Sequence, residues 1–499
     1  MKRNKFSLSH YKLLSCGLGE IVPVGLTEVL PGDTIQHATN LLLRTMPLLA
    51  PVMHPVRVQV HHWFVPHRLV WDDFEDFITG GPDGLDASVF PTITIGGGTG
   101  AAIGSLADYL GVPTEVNNIE VSALPFRGYG LIFNEWYRDA DLVTERTIDT
   151  TSGPDTTTAT ALALAAWEKD YFTSARPWET KGAAITVPIG DLAPVLGINV
   201  GVGSASSNNT GVGTVAADDF SSTPSLRADT LQTYLRLQSA GTTGTSNRPQ
   251  IFADLSDAST ITINALREAM ALQRYQEARA RYGSRYTEYL RYLGVRSSDA
   301  RLQRPEYLGG GRQTIQFSEV LQTAEGTSPV GEMRGHGISA MRSNRYRKFF
   351  EEHGYVFTLL TVRPKTIYGN GLPRHWNRRT KEDYWQQELQ HIGQQEILNK
   401  ELYAAHATPN GSFGFQDRYD EYRRTESSIA GEFRDTTLDF WHMARIFASD
   451  PALNSDFVTC TPTTRIFPVT EGVDYLYIMA NHSMQARRMV APTGSSHIY

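Results

Sequence analysis

The sequence predicts a mainly β protein, an antiparallel sandwich that carries long loops and helices as insertions. Three observations predict it. Apolar residues alternate with period two in the best-patterned stretches, which marks half-buried strands. Helical stretches interrupt the strands as insertions and build no βαβ crossover, so an antiparallel arrangement is favoured over a parallel sheet. Loops are many and long, and a long ordered loop generally needs a role such as contact with a partner.

The elements follow in order. Residues 1–20 read as a basic, then mixed, arm. The stretch "EIVPVGLTEVLPGD" (20–33) reads as an extended segment closed by a Pro-Gly-Asp turn, because Pro presets one φ and Gly accepts a positive one. "LLLRTMPLLAPVM" (41–53) is too broken by proline for a long helix. From Val56 the alternation is strict. Val56, Val58, Val60, His62 and Phe64 lie on one face, and Arg57, Gln59, His61, Trp63 and Val65 on the other. The period then changes. Trp71, Phe74, Phe77 and Ile78 stand at helical spacing with Asp72, Asp73, Glu75 and Asp76 between them. This predicts a short amphipathic helix with acids toward its positive end, stopped by Gly80 and Gly81.

Residues 105–111 and 125–142 predict further helices, the second with Phe133, Trp136 and Tyr137 as a buried stripe. Residues 150–160 and 323–337 read as loops. Between about 190 and 250 the composition shifts to Gly, Ser, Thr and Asn, which cannot bury enough apolar area for a core. This segment reads as an exposed insertion, since patterned sequence resumes on both sides. Residues 262–283 form the clearest helix, capped by Thr262 and ended by Gly283. Ile263, Leu266 and Met270 share one face while Leu272 and Tyr275 lie round the other side, so burial on two sides is expected. Residues 355–369 and 474–490 predict a strand-rich tail.

The totals narrow the function. The chain has 499 residues and 40% hydrophobic content, enough for a sizeable core. Its net charge is −7, so any contact with nucleic acid must be local, with cations gathered on one face. Cys16 and Cys460 make no disulfide framework and read as free thiols in a reducing compartment. There is no signal-peptide core and no apolar run long enough to span a membrane, so membrane insertion is not expected.

Motifs for catalysis and cofactors are weak. His54, His61, His62 and His67 cluster in sequence, but the adjacent pair on a strand must point to opposite faces, so no metal site is expected. "YLGGGRQT" (307–314) lacks the ending of a phosphate-binding loop, and "TITIGGGTGAAIGSLADYL" (92–110) has its third glycine one place late for a dinucleotide fingerprint. No nucleophile elbow or kinase set occurs. No enzyme activity and no cofactor is expected. Basic clusters carry more information. Arg342, Arg345, Arg347 and Lys348 stand beside Tyr346, and Arg374, Arg378 and Arg379 beside Trp376. With Lys2, Arg3 and Lys5 they could form one face for phosphates and unpaired bases, or build subunit contacts, where arginine suits carboxylates.

Long motifs then occur in collinear order: "MPLLAPVMHPVRVQVHHWFVPHRLVWDDFEDFITGG", "LPFRGYGLIFNEWYRD", "DYFTSARPWETKG", "RYTEYLRYLGVRSSDARLQRPEYLGGG", "YGNGLPRHWNRRTKEDYWQQELQHIGQQEI" and "GFQDRYDEYRR". The chain resembles the major capsid proteins of the Microviridae, and the gokushovirus type most. The resemblance spans nearly the whole chain outside about 190–250. It implies a single eight-stranded antiparallel jelly-roll domain over 1–499, a viral capsid β-sandwich with long loop and helical insertions. It implies copies assembled into a T=1 icosahedral shell around circular single-stranded DNA, with residues 190–250 at a threefold surface protrusion. Other phage structural proteins and a bacterial surface receptor are implied partners, the virion the location and the host cytoplasm the place of assembly. The rival reading is a carbohydrate-binding or glycoside-cleaving β-sandwich, since jelly rolls also serve lectins.

Overall fold

The computed structural model describes residues 3–98, 100–183, 185, 195–196, 198–201, 234–237, 252–253, 263–282, 285–295, 298–299, 303–323, 331–469 and 472–492. The chain forms two compact units, one of Met1–Glu179 with Arg279–Tyr499, the other of Thr180–Ala278. Most of the insertion expected over 190–250 lies outside the described residues, as do Thr262 and Gly283.

The larger unit is built on two antiparallel sheets. The strands of these two sheets are β1 (Asn4–Ser7), β2 (His10–Cys16), β3 (Ile21–Val29), β4 (Thr34–Thr45), β5 (Val56–Pro66), β6 (Glu306–Thr314), β7 (Gln316–Leu321), β8 (Met333–Arg342), β9 (Tyr346–Phe349), β10 (Gly354–Pro364) and β11 (Leu476–Arg488). The first sheet runs β1-β11-β4-β8-β7, with β2 also on β11 and β9 also on β4. The second runs β6-β5-β10-β3. Between them Val22, Val24, Leu41, Leu43, Val58, Val60, Leu360, Leu476 and Ile478 form one core. The mainly β, antiparallel expectation holds.

The outer face of the second sheet is covered by helices. Trp63, Val65, Phe357 and Leu359 pack against α2 (Leu106–Leu110) and α3 (Leu124–Ile132). Gly128 allows the approach, since a Cβ there would lie 2.9 Å from the Phe357 ring. The central strands of sheet two are therefore buried on both sides, and β10 reads as a nearly unbroken apolar run instead of an alternation. A buried ion pair ties the helical layer down. Arg127 Nε donates to Asp155 Oδ2 at 2.8 Å, and its other nitrogens donate to the carbonyls of Val70 and Thr151, with both side chains fully buried.

Several expectations are corrected. The N-terminal arm is laid down as strand: β1 and β2 pair with β11, adding two short strands to the edge of the first sheet. Residues 323–337 are not all loop, because β8 begins at Met333 with glycines at its inward positions. The helix expected over 125–142 closes through a π turn at Phe133–Tyr137, where Arg138 turns extended. Helix α1 (Phe74–Thr79) ends at left-handed Gly80 as expected, but Trp71 sits buried before it, and Phe77 and Ile78 are exposed. Helix α4 (Ile263–Tyr282) forms where expected, yet Ile263 is 74% and Met270 57% exposed. Apolar spacing names a face without supplying what covers it. "YLGGGRQT" is part of strand β6, with a bulge between Tyr307 and Gly309. A Cβ on Gly310 would lie 2.3 Å from the Val60 carbonyl, so its glycine serves close strand approach. Both cysteines are buried and free.

Candidate functional site

Among the described residues one sheet face carries no covering element. Along β11 burial alternates strictly: Ile478, Ala480, His482 and Met484 turn inward, and Tyr477, Met479, Asn481, Ser483, Gln485 and Arg487 turn out. Register then assigns the neighbours. One outward row reads Arg342, Asn40, Asn481 and Tyr11; the next reads Ala340, Leu42, Met479 and Leu13. Toward the far end lie Arg347, Gln36, Gln485 and Ser7, then Phe349, Thr34, Arg487 and Lys5. Arg44 lies beside Tyr477. Lys5, Arg44, Arg342, Arg347 and Arg487 are exposed.

No Asp or Glu occupies an outward position of these strands. The nearest carboxylates sit at the rim, where Asp474 meets the Ser15 hydroxyl at 2.5 Å and Glu332 pairs with Arg334. Lys5 stands directly across from Arg487, a like-charge pair that costs stability unless an anion lies between. Tyr11, Leu13, Tyr477 and Met479 are 69%, 68%, 47% and 39% exposed, which makes an apolar and aromatic lane beside the cations. Such a face offers charge for phosphates, amides for hydrogen bonding and rings for stacking.

The basic residues singled out in the sequence divide in two. Lys5, Arg342 and Arg347 join this face, and Arg345 is exposed in the turn between β8 and β9. Arg3 donates to the Gly32 carbonyl and the Thr34 hydroxyl beside the Phe349 ring. Lys348 points the other way and pairs with Glu306 at 2.8 Å. Lys2 lies outside the described residues. The second cluster is turned inward to carboxylates. Arg374 bonds Glu401 at 2.8 Å and the Glu396 carbonyl at 2.7 Å, and it meets Glu421 at 3.5 Å. Arg378 meets the same Glu421 and lies over the Tyr422 ring. These two arginines hold loops together. Trp376 and Arg379 remain exposed. Arg44, Arg487, Tyr11 and Tyr477 were missed as site residues because none stands in a run of three or more cations beside a ring. Their signal is period-two alternation combined with register, and register is not local.

The four histidines in and beside β5 stand apart, and His61 and His62 fall on opposite faces as alternation requires. His61 bonds Tyr137 and Gln59 on the outer face of sheet two. His62 points into the sandwich, between the Thr358 and Ser343 hydroxyls, each 3.0 Å away. His54 bonds the Lys365 carbonyl, and His67 packs against Phe74 and Tyr355. Burial lowers the pKa of each well below the ordinary value, so all four are neutral near pH 7. Among the described residues no group of three or more His, Cys, Asp or Glu side chains could hold a metal ion.

A family model described as capsid protein (F protein) matches residues 1–497. The chain is 38% identical to capsid protein VP1 of Bdellovibrio phage phiMH2K, over 94% of this chain and 90% of that one. It is 33% identical to capsid protein VP1 of Chlamydia phage 1, over 95% and 92% respectively. It is 32% identical to capsid protein VP1 of Spiroplasma virus 4, over 91% and 87%. The chain therefore belongs to the phage capsid protein (F protein) family and is a capsid structural protein of the Microviridae type.

Proposed function

We propose that copies of this chain assemble into a T=1 icosahedral shell around a circular single-stranded DNA genome, and that the bare face of the first sheet meets that genome. The observation that carries the DNA assignment is the absence of carboxylates from the outward positions of this sheet, in a chain whose net charge is −7. A family-wide capsid role supports the shell. The mixed surface favours unpaired DNA: exposed rings have nothing to stack on in a duplex, whereas splayed bases can lie on Tyr11 and Tyr477 while phosphates reach Arg342, Arg347, Arg487 and Lys5. The two packed sheets are read as an elaborated eight-stranded jelly roll, since β4 lies between β8 and β11, strands far from it in sequence. Exposed loops and the 190–250 insertion are assigned to host attachment at a bacterial surface receptor, with the insertion forming the threefold protrusion. Assembly would take place in the host cytoplasm, beside other phage structural proteins. Among the described residues no helix is long and apolar enough to cross a membrane.

The test replaces Arg342, Arg347 and Arg487 with Gln. Particles should still form, with less nuclease-protected DNA. The purified variant should bind single-stranded oligonucleotide more weakly, and the slope of log affinity against log salt should flatten by about 0.7 per lost phosphate contact. Unchanged DNA content and an unchanged slope would remove this face from the genome contact. Electron micrographs that show only monomers of the wild-type chain would overturn the shell reading.

A further inference from the structure

Behind the bare face, between the two sheets, lies a cluster of buried imidazoles. His37 comes from β4, His482 from β11 and His62 from β5, and the exposed His10 from β2 stacks on His482 at 4.8 Å. The His37 and His62 rings are 4.7 Å apart, and those of His37 and His482 are 5.4 Å apart. Their hydrogen bonds run in one direction. The Val24 carbonyl can only accept, so His482 Nε2 carries the proton of that 3.0 Å bond. His482 Nδ1 is then an acceptor, 3.2 Å from His37 Nε2, which donates. His37 Nδ1 accepts from the Tyr346 hydroxyl at 3.2 Å. Thr39 touches both rings, and Ser343 and Thr358 bracket His62.

This network is complete only while the rings are neutral. A second proton on His482 sets an N–H against the N–H of His37. A charge on any ring sits within a few ångströms of other imidazoles. The titratable groups acting on the cluster are His10 and Lys12 from β2, His61 from the far face of β5, and Tyr346 from β9; none is a carboxylate. The elements joined here are the ones that carry the bare face: β4 and β11 directly, β2 through His10, and β9 through Tyr346. We propose that the His37–His62–His482 cluster, on which His10 stacks, is an acid-labile joint, whose protonation loosens the N-terminal strands and β9 from the sandwich. This device does not depend on the DNA assignment.

Burial, reinforced by the neighbouring imidazoles, holds His37 near 2, His62 near 3 and His482 near 4, against an ordinary 6.5. The sign follows from linkage. Above pH 6.5 folded and unfolded chains are both neutral at these sites and the joint is intact. As pH falls below that value the unfolded or opened state takes up protons that the closed state refuses, so closure weakens. At pH 5 each such histidine shifts the open–closed equilibrium about thirtyfold toward open.

Hydrogen-exchange mass spectrometry on the full chain at pH 7 and pH 5, corrected for intrinsic rates, tests this. Protection should fall in peptides covering 10–16, 34–45, 346–349 and 476–488, and hold in 124–137. In His37→Gln the new amide can still accept from Tyr346 and donate to His482, but it cannot titrate. The pH-dependent opening should shrink by about thirtyfold. Should that variant misfold, C2-proton exchange of the wild-type imidazoles reads their titration directly. Midpoints near 6.5 for His37, His62 and His482 would overturn the joint, as would an unchanged opening ratio in the variant or uniform loss of protection across all peptides.

Discussion

At the scale of the residue, two sites show how little freedom the interior allows. Arg127 and Asp155 are both fully buried, and nearly every polar atom they carry is satisfied. Burial works against the Asp155 charge, yet hydrogen bonds from Thr158 and Arg127 hold its pKa below the usual carboxylate value. Arg127→Met would leave a lone buried carboxylate and should cost about 3–5 kcal/mol in urea unfolding. The double variant that also carries Asp155→Leu should recover much of this, because the isolated charge is then gone. Gly25 is constrained by shape. A Cβ there would stand 2.8 Å from the His482 ring, so Gly25→Ala should cost about 1–3 kcal/mol by thermal unfolding and disturb the histidine network with it.

At the scale of the element, β10 and β11 differ because one sheet is covered and the other is not. In β10 Val356, Leu360 and Val362 face the other sheet, while Phe357 and Leu359 face the helices. Phe357→Ala should cost about 3–5 kcal/mol, since the cavity opens between a sheet and a helical layer that has no other seat. In β11 the outward positions touch no covering element among the described residues. Met479→Ser should stay within about 0.5 kcal/mol by the same thermal measurement. A large loss at Met479 would mean that something in the single chain covers this face.

At the scale of the whole molecule, charge is sorted. Acids exceed bases overall, but five exposed cations share the bare sheet while Arg374 and Arg378 are spent on Glu401 and Glu421. The two basic clusters should therefore fail differently. Arg374→Met strands the buried Glu401 and should cost about 3 kcal/mol of stability, in differential scanning calorimetry of the unassembled chain. Arg347→Gln should leave that stability within about 0.5 kcal/mol and lower only DNA retention. A shell protein has reason for this division, because loops must keep their shape while one face stays free for a partner.

Local spacing in the sequence determined the strand at 56–66, the split of His61 from His62, the strands at 355–364 and 476–488, and the helix at 263–282. The strand at 56–66 and the helix at 263–282 follow from a period set by backbone geometry, the other two strands from apolar composition, and the collinear motifs determined the family. Only the tertiary structure decided which alternating face is buried, because that depends on what packs against it. It placed residues 4–7 and 10–16 on β11 through pairing across 460 positions or more, which no local pattern encodes. It also divided the arginines. Those near Arg374 read like those near Arg342 in sequence, and what separates them is whether a carboxylate from a distant segment has come within reach.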